Sequence, residues 1–303
     1  MTIRPLTVTA AGALLGTSAL FLTAAPTATA ADRADATAVR EGSPVPVAHR
    51  GASGYAPENT LAAVDKAHSM GIDWVETDVQ RTKDGELIVM HDTTLSRTTD
   101  VEQRFPDRSP WKVSDFTLKE IRGLDAGGWF DSRYKGEKVP TLDQFLDRVD
   151  HNRQRLLLEL KSPELYPGIE RQTLRELGSE GWLGRSHRSK LIVQSFNADA
   201  VKRVHHYRSE VKTGFLGTPK PEELNSYARF ADQINPSYKD VSESYVKAVH
   251  AVRGPHHRPL EVFTWTVNDA ATARKVTDAG VDGIISNKPD VVTGSLRAAG
   301  TDD

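Results

Sequence analysis

Residues 47–92 read VAHRGASGYAPENTLAAVDKAHSMGIDWVETDVQRTKDGELIVMHD, and this stretch decides the fold. It contains three short apolar runs that predict β-strands, with His49, the pair Glu76 and Asp78, and His91 in or at the ends of these runs. Residues i and i+2 of a strand face the same side, so Glu76 and Asp78 share one face. Two carboxylates on an apolar strand are costly to bury unless cations or hydrogen bonds offset them, which is typical of an active site.

Strand and helix patterns alternate along the rest of the chain, which predicts parallel β/α units. Strands are predicted at 45–49, 72–80, 86–90, 155–160, 191–195, 211–216, 231–235, 261–267 and 283–286. Helices are predicted at 61–70, 142–149, 169–177, 197–207, 221–230, 242–252 and 269–279. Nine strands are one more than an eight-stranded barrel contains.

The extra strand is explained by a hairpin. The segment 83–86 reads Lys-Asp-Gly-Glu, and Asp-Gly is a strong signal for a tight turn between two strands. A hairpin reverses the chain, so 86–90 runs antiparallel to 72–80 and eight parallel strands remain. Residues 93–140 show no clear strand and are interpreted as a long insert, which is usually functional or mobile. We therefore predict an α/β fold, a (β/α)8 TIM barrel with a β-hairpin excursion and an insert after strand two.

Composition weighs against several classes of function. The 303 residues contain 39 Lys and Arg against 41 Asp and Glu, a net charge of −2. No basic excess indicates binding to nucleic acid, and no basic amphipathic helix indicates docking on a membrane. We expect no nucleic-acid partner and no stable membrane insertion, and the sequence leaves the oligomeric state open.

The first thirty residues have the pattern of a secretory signal peptide. Arg4 gives a positive start, an apolar Ala-rich run follows, and residues 28–30 (Ala-Thr-Ala) form an A-x-A cleavage site. A membrane anchor is the alternative, and Thr, Gly and Pro26 within the run weigh against it. We predict a signal peptide at 1–30 that is cleaved near Ala30-Ala31, and a secreted protein.

The remaining chain is predicted to be a flexible segment at 31–44 followed by one barrel domain at 45–303. The chain has no Cys, so neither a disulfide nor a lipid-modified cysteine is available. A secreted chain without disulfides depends on its core and on any bound metal for stability.

Barrel active sites lie at the C-terminal ends of the strands, and unusual side chains are predicted there. They are His49, Arg50, Glu76, Asp78, Glu159, Lys161, Trp265 and Asn268.

The three carboxylates Glu76, Asp78 and Glu159 offer only oxygen ligands, which suits Ca²⁺ or Mg²⁺. Taken alone, the trio favours a set of salt bridges to Arg50 and Lys161, because an E-x-D pair is common, and the other polar residues of the rim reverse this preference. In a formal count, three carboxylates, a divalent cation, two basic side chains and a phosphodiester sum to zero, which favours a phosphodiester substrate.

Other residues of this set have alternative interpretations. His49 and His91 are candidates for an acid and base pair, because imidazole titrates near neutral pH. Lys161 is an alternative Schiff-base lysine, but Glu159, two residues away, would keep it protonated. Trp265 either packs in the core or covers the alcohol part of a ligand. Residues 57–60 are interpreted as the cap of the first helix, with Glu58 as a candidate partner of a catalytic group.

Taken together, these motifs resemble the glycerophosphodiester phosphodiesterase family of the bacterial secreted type. The matching pieces are His49-Arg50-Gly51, Pro57-Glu58-Asn59-Thr60, Glu76-Thr77-Asp78, His91-Asp92, Leu124-Asp125-Ala126-Gly127, Val139-Pro140-Thr141-Leu142, Glu159-Leu160-Lys161, Trp265-Thr266-Val267-Asn268 and Asp282-Gly283-Ile284-Ile285. The pieces follow the family's order, and the ordered set is far more specific than any one of them. The resemblance implies one divalent cation on Glu76, Asp78 and Glu159, an acid and base pair of His49 and His91, phosphate on Arg50 and Lys161, and glycerol near Trp265.

The implied function is metal-dependent hydrolysis of glycerophosphodiesters to glycerol 3-phosphate and an alcohol. The same chemistry on teichoic acid polyglycerolphosphate or on lysophospholipids is an alternative. A catalytically silent phosphoglycerol-binding protein is another, although a binder has no need of both histidines. The sequence does not decide whether the cation is Ca²⁺ or Mg²⁺, and it does not identify the leaving alcohol. It also leaves open which histidine is the acid and which is the base, and whether a cyclic phosphate forms.

Overall fold

The computed structural model describes residues 42–298, with side chains to residue 297. The predicted signal peptide at 1–30, and residues 31–41 of the predicted flexible segment, lie outside the described residues. Within residues 42–298, no helix is long and apolar enough to cross a membrane.

Nine strands form one sheet that closes into a barrel. They are β1 (Val45–Ala48), β2 (Trp74–Arg81), β3 (Leu87–Val89), β4 (Arg155–Leu160), β5 (Leu191–Ser195), β6 (Lys212–Leu216), β7 (Gln233–Asn235), β8 (Glu261–Thr264) and β9 (Gly283–Ser286). The strand order is β1-β9-β8-β7-β6-β5-β4-β2, and β1 pairs with β2 to close it. Every pair in this ring is parallel, whereas β3 is antiparallel to β2. The predicted barrel and its hairpin excursion are confirmed.

Ten α-helices are present within the described part of the chain. They are α1 (Leu61–Ser69), α2 (Val101–Arg104), α3 (Leu118–Gly123), α4 (Leu142–His151), α5 (Ile169–Ser179), α6 (Ala198–Tyr207), α7 (Leu224–Tyr227), α8 (Glu243–His250), α9 (Ala270–Asp278) and α10 (Pro289–Ala298). The side chains of Thr60, Asn197, Ser242 and Asp269 cap four of them by accepting hydrogen bonds from backbone N–H groups of the first turn.

Two helix predictions need correction. The helix predicted at 221–230 is a 3-10 turn at Pro221–Glu223 followed by the single turn of α7. The terminal helix α10 was not predicted, although Pro289 stands at its first position, where proline is well tolerated.

The insert at 93–140 is a packed unit with its own core. Its buried side chains include Val101 of α2, Phe116 before α3 and Ile121 within α3, and they pack with Ile88 and Met90 of the hairpin. Thr117 and Glu120 form a capping box that starts α3. The sequence pattern predicted a long insert with no clear strand and assigned no helix to it, so α2 and α3 were missed.

Alternation along the strands separates the outer core from the barrel interior. On β2, Val75 and Val79 belong to the layer between the sheet and the helices. Trp74 packs inside the barrel, and the two acids Glu76 and Asp78 follow it on the same face. The barrel interior is therefore apolar around Trp74 and becomes acidic toward the C-terminal end of β2.

Candidate active site

The three predicted metal ligands meet inside the barrel. Glu76, Asp78 and Glu159 each place one carboxylate oxygen within 4.8 Å of the others, and all three residues are buried. Asp78 Oδ2 accepts a hydrogen bond from Asn59 Nδ2 at 2.8 Å. Asp78 Oδ1 is buried and receives no hydrogen bond from any described residue. A buried, oxygen-only donor set with an unsatisfied carboxylate oxygen fits a hard divalent cation.

Electrostatics make this acidic trio unfavourable without a cation. Burial and the neighbouring Asp78 raise the pKa of Glu76 well above its ordinary value, and they raise the pKa of Glu159 to about 7. Burial acts in the same direction on Asp78, but Lys161 and Arg50 outweigh it and lower the pKa of Asp78. The trio thus combines mutual repulsion with incomplete compensation by its basic neighbours.

Arg50 and Lys161 flank the trio on opposite sides. The Arg50 backbone N–H donates to Glu76 Oε2 at 2.9 Å, and its Nε lies 3.5 Å from Asp78 Oδ2. That Nε is buried and has no hydrogen-bond partner among residues 42–298. Lys161 Nζ donates to Glu159 Oε1 at 3.0 Å and lies 3.6 Å from Asp78 Oδ1. Two fixed cations therefore face the same centre, where an anionic substrate group would be bound.

The electrostatic surroundings of Lys161 disfavour the Schiff-base alternative. Burial alone would lower the pKa of Lys161, but Asp78 and Glu159 raise it above its ordinary value. A lysine nucleophile needs the opposite shift, because only the neutral amine attacks a carbonyl.

His49 is held by a residue from the far end of the chain. Its Nδ1 lies 2.6 Å from Asn287 Oδ1, and its Nε2 lies 4.0 Å from Glu76 Oε2. The backbone N–H of Asn287 in turn donates to Asn268 Oδ1 at 2.9 Å. Burial and the Arg50 guanidinium lower the pKa of His49 to about 4, so its ring is neutral at pH 7. Sequence reasoning missed Asn287, which follows β9 without any motif of its own.

His91 is anchored by a carboxylate and an arginine of the insert. Its Nδ1 lies 2.6 Å from Asp92 Oδ1. Arg97 donates from Nε to Asp92 Oδ2 at 2.6 Å and from Nη2 to Asp92 Oδ1 at 3.0 Å. The same guanidinium donates to both oxygens of Glu58, at 2.8 and 2.7 Å, and Glu58 also accepts from Arg50 Nη1 at 2.9 Å. A continuous chain of ion pairs therefore connects His91 with Arg50.

The interpretation of residues 57–60 as a helix cap is only partly right. Thr60 caps α1, as the pattern predicts. Asn59 instead donates to Asp78, and its Oδ1 accepts a hydrogen bond from Thr77 Oγ1 at 3.0 Å. Glu58 forms ion pairs with both Arg50 and Arg97. Through Arg97 it is connected to Asp92, the partner of the candidate catalytic residue His91. Both Arg50 and Asn59 have a positive φ, 55° and 57°, and this tight backbone brings Asn59 over the acids.

An aromatic wall closes the site opposite the acids. Trp265 Nε1 donates to the Asn235 carbonyl at 2.8 Å, which fixes the indole. The Phe196 ring meets Trp265 edge-on at a centroid distance of 5.4 Å. A cavity of about 120 Å³ is lined by His49, Arg50, Glu76, His91, Glu159, Lys161 and Trp265, together with Gln194, Phe196, Leu216, Thr266 and Ile285.

The structure thus brings together the eight residues to which the sequence assigned a role: His49, His91, Arg50, Lys161, Trp265, Glu76, Asp78 and Glu159. Seven of these eight residues line the cavity. Asp78 does not line it, but lies beside Arg50 and Lys161, which do. Asn268, also predicted at this rim, does not line the cavity and accepts the hydrogen bond from the Asn287 backbone. A larger groove of about 870 Å³ lies beside α1 and α4 and contains none of the eight. The individual roles in catalysis remain predictions.

Comparison with known proteins gives the family. Residues 49–291 match the glycerophosphoryl diester phosphodiesterase family. The chain belongs to this family. It is 36% identical over 263 residues to the glycerophosphodiester phosphodiesterase of Bacillus subtilis (strain 168), covering 81% of this chain and 84% of that protein. It is 33% identical over 258 residues to that of Caldanaerobacter subterraneus subsp. tengcongensis, covering 84% of this chain and 98% of that protein.

A solved relative shares both fold and sequence. The phosphodiesterase of Oleispira antarctica, solved in complex with the product sn-glycerol-3-phosphate, superposes with a TM-score of 0.70 at 29% identity. The alignment covers 84% of this chain and 97% of that protein. The predicted family and enzyme class are confirmed: the chain is a phosphodiesterase acting on glycerophosphodiesters, and its buried acidic trio is suited to a divalent metal.

Proposed function

We propose that this protein hydrolyses glycerophosphodiesters with one divalent cation, Ca²⁺ or Mg²⁺, held by Glu76, Asp78 and Glu159. The observation that supports the cation is the buried trio itself, with Asp78 Oδ1 left without a hydrogen-bond donor among the described residues. When bound, such a cation polarises a phosphoryl oxygen and lowers the pKa of a bound hydroxyl. All three ligands are oxygens, which favours a hard ion over a soft one.

Arg50 and Lys161 hold and orient the phosphodiester. Arg50 has a buried Nε free for a phosphate oxygen, and the Lys161 ammonium is kept charged by its acidic neighbours. A guanidinium gives directional contact with phosphate oxygens, whereas an ammonium acts as a point charge. Fixed charges of this kind stabilise a phosphorane-like transition state because they need no reorganisation during the reaction.

His49 and His91 transfer the protons. Both line the cavity, and each ring is fixed through Nδ1, which leaves Nε2 for the substrate. One ring removes a proton from the nucleophile, either the glycerol 2-hydroxyl or a water molecule, and the other protonates the departing alcohol oxygen. With the glycerol hydroxyl as nucleophile, a cyclic phosphate forms first and water then opens it.

The glycerol part of the substrate lies against Trp265. Its indole is fixed by Asn235 and forms the apolar side of a cavity whose opposite side is charged. The products are glycerol 3-phosphate and an alcohol such as choline or ethanolamine. The relative from Oleispira antarctica, solved with sn-glycerol-3-phosphate, supports this product.

Removal of the metal tests this proposal. Exhaustive treatment with EDTA should abolish hydrolysis of glycerophosphocholine, and added Ca²⁺ or Mg²⁺ should restore it. Glu76→Gln and Asp78→Asn should each lower activity and raise the metal concentration needed for half-maximal rate, because each removes a charged ligand. Glu243→Gln, at an exposed residue of α8, is the control and should change neither. A metal-free enzyme that works at full rate would show that the trio is a salt-bridge network.

We further propose that the protein is exported and cleaved near Ala30-Ala31. The support is the sequence of residues 1–30, with its positive start, apolar run and A-x-A site.

A further inference from the structure

A second cavity, of about 110 Å³, adjoins the active site above β4 and β5. It shares Glu159, Lys161 and Phe196 with the central cavity, so the two spaces meet where the phosphodiester is held. Its remaining lining is Leu160, Ser162, Pro163, Glu164, Ser195 and Asn197.

This second cavity combines a carboxylate with an exposed aromatic ring. Glu164 is exposed, and the one hydrogen bond that its carboxylate accepts from a side chain within residues 42–298 comes from Asn197 Nδ2 at 3.5 Å. No basic side chain within residues 42–298 lies within ion-pair distance of it. Phe196 is 49% exposed, so its ring is accessible from this cavity. A carboxylate beside an aromatic ring is the arrangement that attracts an organic cation, through charge and through the ring quadrupole.

Lys161 is a cation that lines this cavity. Its ammonium donates to Glu159, faces Asp78 and lies over the Phe196 ring, 5.5 Å from the ring centre, so one face of the ring already meets a cation and Glu164 is the main group that can attract another. The substrate phosphate would add a further negative partner to Lys161. Glu164 is therefore the carboxylate of this cavity that is not already committed to a cation or to the acidic trio.

Geometry directs the leaving alcohol to this cavity. The central cavity holds glycerol under Trp265 and the phosphate beside Lys161. On the His91 side, the adjoining cavity is only about 10 Å³, which is too small for an alcohol and barely large enough for a water molecule. Of these two cavities that share lining residues with the central one, the cavity at Glu164 is large enough to begin accommodating an alcohol substituent.

We propose that the second cavity binds the departing alcohol, and that Glu164 and Phe196 select alcohols with a positive charge, such as the quaternary ammonium of choline. This inference rests on the proposed hydrolysis of glycerophosphodiesters and adds the class of substrate that is preferred. The bound cation leaves with the alcohol once its oxygen has been protonated.

The test compares two diesters that differ only in the charge of the alcohol. We expect Glu164→Gln to lower the ratio of kcat/KM for glycerophosphocholine to that for glycerophosphoglycerol by about 3-fold, the scale of an exposed charge or cation–π contact. Phe196→Leu should lower the same ratio, because it keeps apolar bulk and removes the ring. Glu180→Gln, at the exposed C-terminal end of α5, is the matched control and should leave the ratio at the wild-type value.

Three outcomes distinguish failure of this inference from failure of the proposed hydrolysis. A lower ratio in both Glu164→Gln and Phe196→Leu supports the subsite. An unchanged ratio in Glu164→Gln, with both diesters still hydrolysed, overturns the subsite and leaves the phosphodiesterase intact. Failure of the metal-loaded wild-type protein to hydrolyse either diester overturns the proposed function itself.

Discussion

At the scale of single residues, each histidine of the site is oriented by one contact at Nδ1. An amide oxygen of Asn287 holds His49, and the carboxylate of Asp92 holds His91. Both contacts fix the ring plane and leave Nε2 as the nitrogen that is not held at Nδ1, on two rings that line the cavity. The difference between the partners matters because a carboxylate stabilises a charged imidazolium and an amide oxygen does so far less.

Removal of either histidine should abolish most of the activity. We expect His49→Ala and His91→Ala each to lower kcat for glycerophosphocholine by roughly 10²-fold or more, the usual size of general acid–base assistance. Choline is a poor leaving group, so protonation of its oxygen has to be supplied by the enzyme. Steady-state kinetics measure the effect, and circular dichroism shows whether the variants fold.

His206→Ala is the control for this prediction, because His206 is exposed at the end of α6. Its turnover should equal that of the wild type. Near-normal turnover in His49→Ala or His91→Ala would remove that histidine from the mechanism.

At the scale of elements, the β2–β3 hairpin and the insert complete the site. The hairpin returns the chain so that His91 follows β3 beside the acids of β2. The insert then supplies Arg97, which joins Asp92 to Glu58 in the loop before α1. The hydrogen bonds from His91 and Arg97 lower the pKa of Asp92 and keep it ionised, so it accepts from the His91 ring.

Arg97 should therefore act as a positioning residue. We expect Arg97→Ala to lower kcat by about 10-fold, because hydrogen bonds to charged groups are worth about 1.5–3 kcal/mol and Arg97 is partly exposed. KM should change less, since Arg97 does not line the substrate cavity. Arg97→Lys should recover part of the rate, because lysine keeps the charge and lacks the planar fork that bridges two carboxylates.

Arg104→Ala serves as the control on the same insert, because Arg104 is exposed and its one ion-pair partner within residues 42–298 is Asp100. If Arg97→Ala and Arg104→Ala have the same kcat and KM, the network of Asp92, Arg97 and Glu58 does not orient His91.

The sequence predicts regular elements well where their pattern is periodic. The Asp-Gly turn identified β3 as a hairpin strand, and alternation on β2 put Glu76 and Asp78 inside the barrel. The sequence did not predict the helices of the insert, because α2 is a single turn and the buried residues there follow no fixed period. Strand β8 also ends at Thr264, three residues earlier than predicted, because beyond it the regular ladder gives way to an isolated bridge between Trp265 and Ser237 and a single hydrogen bond from Val267 N–H to the Ile285 carbonyl.

At the scale of the whole molecule, contacts between distant parts of the chain could not be predicted from local pattern. His49 and Asn287 are 238 positions apart and meet only because β9 lies beside β1 in the closed barrel. Asn59 reaches Asp78 through a backbone turn at positive φ that no simple pattern encodes. The acids, basic residues and histidines of the candidate active site could be predicted from the sequence. The residues that orient them could be identified only from the structure of the closed barrel.

Export is a further prediction for the whole protein. Residues 1–30 should direct secretion, so mass spectrometry of the culture supernatant should find a chain that begins near Ala31. The chain has no Cys, so a lipid-modified cysteine is not available at that terminus. A protein retained in the membrane fraction with Met1 intact would show that the apolar run is an anchor.

The proposed metal should also stabilise the barrel as a whole. Its ligands lie on the neighbouring strands β2 and β4, and without a cation the three acids repel one another inside the fold. A ligand that binds only the native state at 100 times its Kd adds about 2.7 kcal/mol to the free energy of unfolding. For a domain of this size, that raises Tm by roughly 5–10 °C. Calorimetry with EDTA and with saturating Ca²⁺ or Mg²⁺ measures the shift, which Glu243→Gln should retain and Glu76→Gln should largely lose. An equal Tm with and without these ions in the wild-type protein would contradict a metal bridge between β2 and β4.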